Sequence, residues 1–319
     1  GPSTSQNTYV LANALRLSKI KKKAIVVSNQ DHESNTGVWR NLASQGFEVR
    51  EWKVRSNGSL HLDDLKKIVD KTVCLIAFPH VSNIVGQVNP VKEICSLAKE
   101  SGAFTCVDGV SYAPHGIPQI NDFSPDIYLF SSYKTFGPHL GVMYVSDSLA
   151  TELESQCHYF NQEFPNKRFT PAGPDHAQVA ALGGIYDYYD ALSDHHFNSK
   201  LSVSSSIDDV NTLISQREKK LLKPLLDFLK TKKDIRLLGS YEIEERVPTV
   251  AIVTKKSNIV LAKELNELNI SVGAGDFYAV RLLQALGVDI NEGVIRLSFV
   301  HYTSGSEVER LISGLDRHL

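Results

Sequence analysis

The chain has 319 residues, room for two domains at roughly 150 residues each. Apolar residues make up 42% and charged residues 22%, which excludes a disordered or collagen-like chain. Lys plus Arg total 34 against 36 Asp plus Glu, a net charge of −2, and no apolar run approaches the roughly 18 residues that span a bilayer, so neither nucleic acid nor membrane is expected as a partner.

Ser3 and Thr4 open a helix-like stretch. Residues 23–28 (KAIVVS) form a short apolar run, 34–45 carry a helical pattern, and 48–54 alternate as a half-buried strand does. Residues 61–70 put Leu62, Leu65, Ile68 and Val69 on one helical face. The continuous apolar run 72–78 (TVCLIAF) reads as a central parallel strand. A helix is predicted over 90–101, and strands over 103–107, 126–130 and 140–145. Further on, 175–192 reads as a helix. Residues 201–231 are polar with Leu and Ile at helical spacing, and Pro224 marks a break or kink. Strands over 248–254, 269–273 and 293–299 and helices over 257–268 and 305–318 complete the chain. This order predicts an α/β protein: a mostly parallel central sheet covered by helices over 1–199, then a smaller α+β domain over 200–319. Cys74, Cys95, Cys106 and Cys157 lie in or beside apolar segments without metal-ligand spacing. They read as buried free thiols of a reducing compartment, hence a cytoplasmic location.

Ligands of such sheets sit outside the carboxyl ends of the strands. The run at 103–107 ends in Asp108-Gly109, and 126–130 ends in Ser131-Ser132-Tyr133-Lys134. Pro79-His80-Val81-Ser82-Asn83 follows 72–78, and Asp31-His32-Glu33-Ser34-Asn35 follows 23–28. Asp, His, Asn and Lys thus gather at one sheet edge. Lys134, ahead of Gly137-Pro138, reads either as a solvated loop lysine or as a Schiff-base lysine. Asp108 stands 26 residues earlier (134 − 108) and suits the partner of a pyridinium nitrogen. Pyridoxal 5'-phosphate (PLP) chemistry needs both groups.

The stretches VDGVSYAPH (107–115) and FSSYKTFGPHLGVMYV (130–145) resemble the signature of class V, fold-type I PLP enzymes. These include cysteine desulfurases, selenocysteine lyases and related aminotransferases, and the likeness is nearest to the cysteine desulfurase-like branch. It runs from residue 3 to the C-terminus. The resemblance implies that Lys134 forms the aldimine with the cofactor and moves protons at the substrate α-carbon. Asp108 then partners the pyridine nitrogen, and His32 stacks on the ring and assists proton transfer. Asn83 and Ser111 fall where the family contacts the phenolic oxygen. Ser3, Thr4, Ser131 and Tyr133 fall at its phosphate site, where a helix N-terminus favours an anion. Arg296 matches the arginine that grips the substrate carboxylate, a task suited to its bidentate geometry. The family is dimeric, and residues 170–176, around Gly173, resemble the loop that reaches the partner subunit's phosphate.

Three departures bear on the reaction. The loop Ser271-Val272-Gly273-Ala274-Gly275-Asp276-Phe277-Tyr278 has no cysteine where desulfurases carry their nucleophile. Tyr133 replaces a histidine, and Ser111 replaces a glutamine. The resemblance therefore implies a PLP enzyme acting at the α-carbon of a small amino acid, aminotransferase-like or C–S lyase-like. The alternatives are a desulfurase or selenocysteine lyase without the usual loop cysteine, and a catalytically silent PLP-fold binding protein. The family's segment ahead of the phosphate-binding helix is not in this sequence, which reads as a partial chain. No metal site is expected, because neighbouring His195 and His196 point apart. The Lys-rich runs 19–23 and 230–233 read as solvated faces, with no interleaved aromatics.

Overall fold

A computed structural model describes residues 1–198 and 204–319. The expected domain boundary at 199/200 lies outside the described residues. Six strands form the larger sheet: β1 (Ala24–Ser28), β2 (Glu48–Trp52), β3 (Val73–Pro79), β4 (Phe104–Asp108), β5 (Ile127–Ser131) and β6 (Gly141–Val145). Their order is β2-β1-β3-β4-β5-β6. The first five are parallel, and β6 runs antiparallel to β5. All seven residues of β3 are buried, as its unbroken apolar sequence requires.

Alternation along the strands sends side chains to two cores. Ile25, Val27, Leu75 and Ala77 pack on one face with Leu11 and Leu15 of helix α1 (Thr4–Leu17). Val26, Ile76, Phe78 and Val107 pack on the other with Ile94 and Ala98 of the helix Val91–Ser101. Helices on both faces of a mainly parallel sheet are the architecture expected from the sequence.

The smaller domain is built on β7 (Ile235–Leu238), β8 (Thr249–Thr254), β9 (Gly273–Gly275) and β10 (Val294–Ser298). These form an antiparallel sheet in the order β7-β8-β10-β9. One face packs against Leu221, Leu222, Leu225, Leu226 and Leu229 of the long helix Ser204–Thr231. Ile84 and Val85 of the larger domain share a core with Leu282, Leu283 and Val294 of the smaller one.

Several elements differ from the sequence reading. The expected helix over 34–45 is broken into the turns Glu33–Asn35, Gly37–Arg40 and Asn41–Gln45. Asn35 bonds back to Asp31, and Thr36 to the carbonyl of Ser28, so these side chains compete with a helical ladder. The helix at 61–70 is only Leu62–Lys66. The helix at 175–192 is two, His176–Ala181 and Gly183–Phe197. Pro224 does not break its helix. It lies on the exposed side, as does Lys220 one turn earlier, so the carbonyl it leaves unbonded faces water. The strand expected at 269–273 begins at Gly273, after Asn269 adopts a left-handed φ of 57°. Strand β7 has no counterpart in the sequence reading. Cys74, Cys95 and Cys106 are buried free thiols, whereas Cys157 is only half-buried. Among the described residues no helix is long and apolar enough to cross a membrane.

Candidate active site

The carboxyl ends of β1, β3, β4 and β5, the start of α1 and the end of β10 surround one cavity of about 1110 Å³. Ser3, Thr4, His32, Asn83, Asp108, Ser111, Ser131, Tyr133, Lys134 and Arg296 all line it. Sequence reading therefore named side chains that the fold brings together from both domains. Of the strand-end histidines, His32 lines the cavity and His80 does not. His80 is buried, its ring stacks on Tyr112 at 3.7 Å and its Nδ1 meets the Tyr128 hydroxyl at 2.8 Å. Burial alone pushes its pKa down to about 3.

The start of α1 is prepared by local sequence. Ser3 caps the helix by accepting the Gln6 N–H. Thr4 is buried, and its hydroxyl lies 2.7 Å from that of Ser131 at the end of β5. Gly141 lets α1 approach: a Cβ there would stand 2.3 Å from the Ser3 carbonyl carbon and 2.5 Å from the Thr4 nitrogen. The Thr4 and Ser131 hydroxyls, meeting at the start of a fourteen-residue helix, could hold an anion.

Deeper in, Asp108 ends β4 and accepts the Val110 N–H at 2.8 Å. Burial pushes its pKa up to about 6, against the Val110 hydrogen bond and the nearby Lys134 charge. Asp31 is buried beside it and pushed up as well, by burial first and then by the Asp108 charge. Two buried carboxylates side by side hold at least one of them towards its protonated form.

His32 is turned by its own loop. The Ser34 N–H donates to Nδ1 at 3.1 Å, so the neutral ring carries its proton on Nε2. Its pKa is pushed down to about 4 by burial and then by the charges of Lys134 and Arg296. It is therefore uncharged at neutral pH. Lys134 follows β5 in the short turn Ser132–Lys134, with its amine 5.6 Å from the Tyr133 ring. Tyr133 itself stacks on His139 at 4.4 Å. Among the described residues the Lys134 amine has neither a hydrogen bond nor an ion pair.

Arg296 lies on β10, flanked by β8 and β9. Its guanidinium sits 4.0 Å from the centre of the Phe277 ring, and Nη1 donates to the Asn83 carbonyl at 3.2 Å. Asn83 donates through Nδ2 to the Phe277 carbonyl at 2.9 Å, while its Oδ1 is buried without a partner. Ser111 lines the same wall. Gly173 lies in an exposed loop with nothing within 4 Å of where its Cβ would be.

The sequence pattern described as aminotransferase class-V matches residues 2–191 and 207–311. The chain belongs to the aminotransferase class-V family. It is thereby an enzyme of a PLP-dependent family, as its motifs imply. Within curated relatives, the aminotransferase-like protein FGM3 of Gibberella zeae is 30% identical over 99% of this chain and 77% of its own length. A cysteine desulfurase of Pectobacterium carotovorum is 27% identical over 92% of this chain and 70% of its own. Among solved structures, the apo cysteine desulfurase of Thermococcus onnurineus superposes with a TM-score of 0.84 at 23% identity, covering 99% of this chain and 77% of that one. The fold is therefore that of fold-type I class-V enzymes. Phe277 and His115 are among the cavity-lining residues to which sequence reading gave no role. His115 meets both carboxylate oxygens of Glu218 through Nδ1, at 2.9 and 3.0 Å. The only sequence signal for either was its place inside a quoted stretch, His115 at the end of 107–115 and Phe277 in the loop 271–278.

Proposed function

We infer that this class-V family member binds PLP and acts at the α-carbon of a small amino acid, in an aminotransferase-like or C–S lyase-like reaction. The observation that carries the reading is the meeting of the unpaired Lys134 amine, the buried Asp108 carboxylate and the Thr4–Ser131 hydroxyl pair in one cavity. The donor set fits the cofactor. Asn83 Oδ1 is buried and unpartnered, and Asp108 is a buried carboxylate with no ion pair among the described residues. The hydroxyl pair stands where a helix N-terminus favours a phosphate.

When bound, PLP supplies an electron sink for the pair freed at the substrate's α-carbon. Lys134 would hold the group through its amine and move the proton at the α-carbon. Asp108 would stay ionised against the ring nitrogen, which offsets the cost of its burial. Thr4, Ser131, Ser3 and Tyr133 would hold the phosphate. Asn83 and Ser111 would serve the phenolic oxygen. His32, neutral and fixed by Ser34, offers a flat uncharged ring and an Nε2 proton. Arg296 has no carboxylate partner among the described residues and would take the substrate carboxylate. The loop 271–278 brings no thiol, so a persulfide relay of the desulfurase type is not part of this reading. A cytoplasmic homodimer completes it, supported by the exposed aromatic side chains Tyr159 and Phe160 and the exposed Gly173 loop.

The test is the visible absorption spectrum of the full chain with added PLP, beside that of Lys134→Ala. A wild-type band that the variant lacks, and that an amino acid from a panel including cysteine and alanine shifts or bleaches, is expected. A folded wild type with no such band would overturn the reading.

A further inference from the structure

The turn after β9 holds two successive non-glycine residues in the left-handed region, Phe277 at φ 51° and Tyr278 at φ 57°. Such a conformation persists only where its surroundings over-determine it. Here they do. Asp276 accepts the Tyr278 N–H at 2.8 Å, and Asn83 donates to the Phe277 carbonyl. The Tyr278 carbonyl accepts the Glu33 N–H at 2.8 Å. The larger domain thus grips both strained residues. A glycine at 277 would adopt this φ without strain, but it would bring no ring.

The ring has a prepared seat. Gly273 on β9 is the cross-strand partner of Arg296 on β10. A Cβ on Gly273 would stand 2.8 Å from two carbons of the Phe277 ring. The missing side chain opposite Arg296 is therefore the space that Phe277 fills, with the guanidinium 4.0 Å above the ring centre. A flat aromatic face holds a guanidinium by its quadrupole without consuming N–H donors. Arg296 gives one donor to the Asn83 carbonyl, and the guanidinium fork has five.

We propose that Phe277 is a positioning residue: seated on Gly273, it holds the Arg296 guanidinium edge-on to the cavity so that its free donors meet a carboxylate. The turn that has no nucleophilic cysteine thereby serves carboxylate recognition. The proposal rests on the reading of Arg296 as the carboxylate site.

The test measures how propionate, a plain carboxylate, protects Arg296 from phenylglyoxal. Labelling is followed by peptide mass spectrometry on the full chain with and without PLP. Phe277→Leu fills the seat without a π-face, and Phe277→Tyr keeps the face. The half-protecting propionate concentration should rise about three- to thirtyfold in the leucine variant, the span expected for losing one cation–π contact. It should stay near wild type in the tyrosine variant. Phe277→Met replaces the leucine variant if that chain does not fold. Protection of wild-type Arg296 that is unchanged in the leucine variant would overturn the positioning role and leave the carboxylate reading standing. Wild-type Arg296 left unprotected by propionate would overturn that reading and the proposal with it.

Discussion

The hydroxyls of Thr4 and Ser131 lie 2.7 Å apart across 127 residues of chain, and both face the cavity. They bond to each other, and a phosphate would draw both. A hydrogen bond to a charged group contributes about 1.5–3 kcal/mol. The double variant Thr4→Ala, Ser131→Ala should therefore bind PLP at least about a hundredfold more weakly. Titration of PLP against intrinsic fluorescence measures this. Unchanged affinity would move the phosphate site elsewhere.

Asp108 couples function to a cost in stability. Its pKa rises from 3.8 to about 6 on folding. The folded chain thus resists ionising this group, and the resulting destabilisation is absent below about pH 4 and fully present above about pH 6. The full shift corresponds to about 3 kcal/mol, an upper bound because Asp31 shares it. Asp108→Asn, measured without PLP, should raise the urea midpoint at pH 7.5, and the gain should shrink steadily towards pH 4. A variant less stable than wild type at pH 7.5 would contradict this account.

Gly141→Ala places a Cβ against the backbone of Ser3 and Thr4. Overpacking against backbone costs about 1–3 kcal/mol or more. Because the start of α1 must shift, PLP affinity should fall along with the melting temperature. Gly183→Ala is the control: it begins the helix Gly183–Phe197 and has open space at its Cβ. It should be neutral or stabilising by up to about 1 kcal/mol. Equal losses in both variants would show that the close approach of α1 to β6 does not matter.

Much of this was legible in the sequence because one structural rule links strands to sites. Asp108 and Lys134 each follow an apolar run, so the parallel sheet delivers both to one edge. What escaped depends on long-range partners. His115 and Glu218 lie 103 residues apart, and only the docking of the helix Ser204–Thr231 joins them. Phe277 looks like an ordinary loop aromatic until Gly273 is seen opposite Arg296. Strand β7 was hidden because Arg236 interrupts its apolar residues and lysines precede it. Helix ends were misjudged where side chains such as Asn35 and Thr36 bond back to the strand before them.

The His115–Glu218 pair fastens that helix to the larger domain, with side chains only 7% and 4% exposed. Removing one partner of such a buried pair leaves the other polar group unpaired, at a cost of about 3–5 kcal/mol if it is charged. Glu218→Ala should lower the urea midpoint sharply, whereas Glu218→Gln, which keeps an acceptor, should lower it less. Equal effects from the two variants would mean that packing, not the polar contact, fastens the helix.

Among the described residues no cysteine or methionine lines the cavity. Iodoacetamide, mercurials and peroxide, which silence enzymes through an active-site thiol, find no thiol there. Cys74, Cys95 and Cys106 are buried, and burial holds each thiol above its usual pKa, far from the reactive thiolate. If the proposed reaction runs in this cavity, it should therefore continue under oxidising stress that stops an enzyme dependent on an active-site thiol.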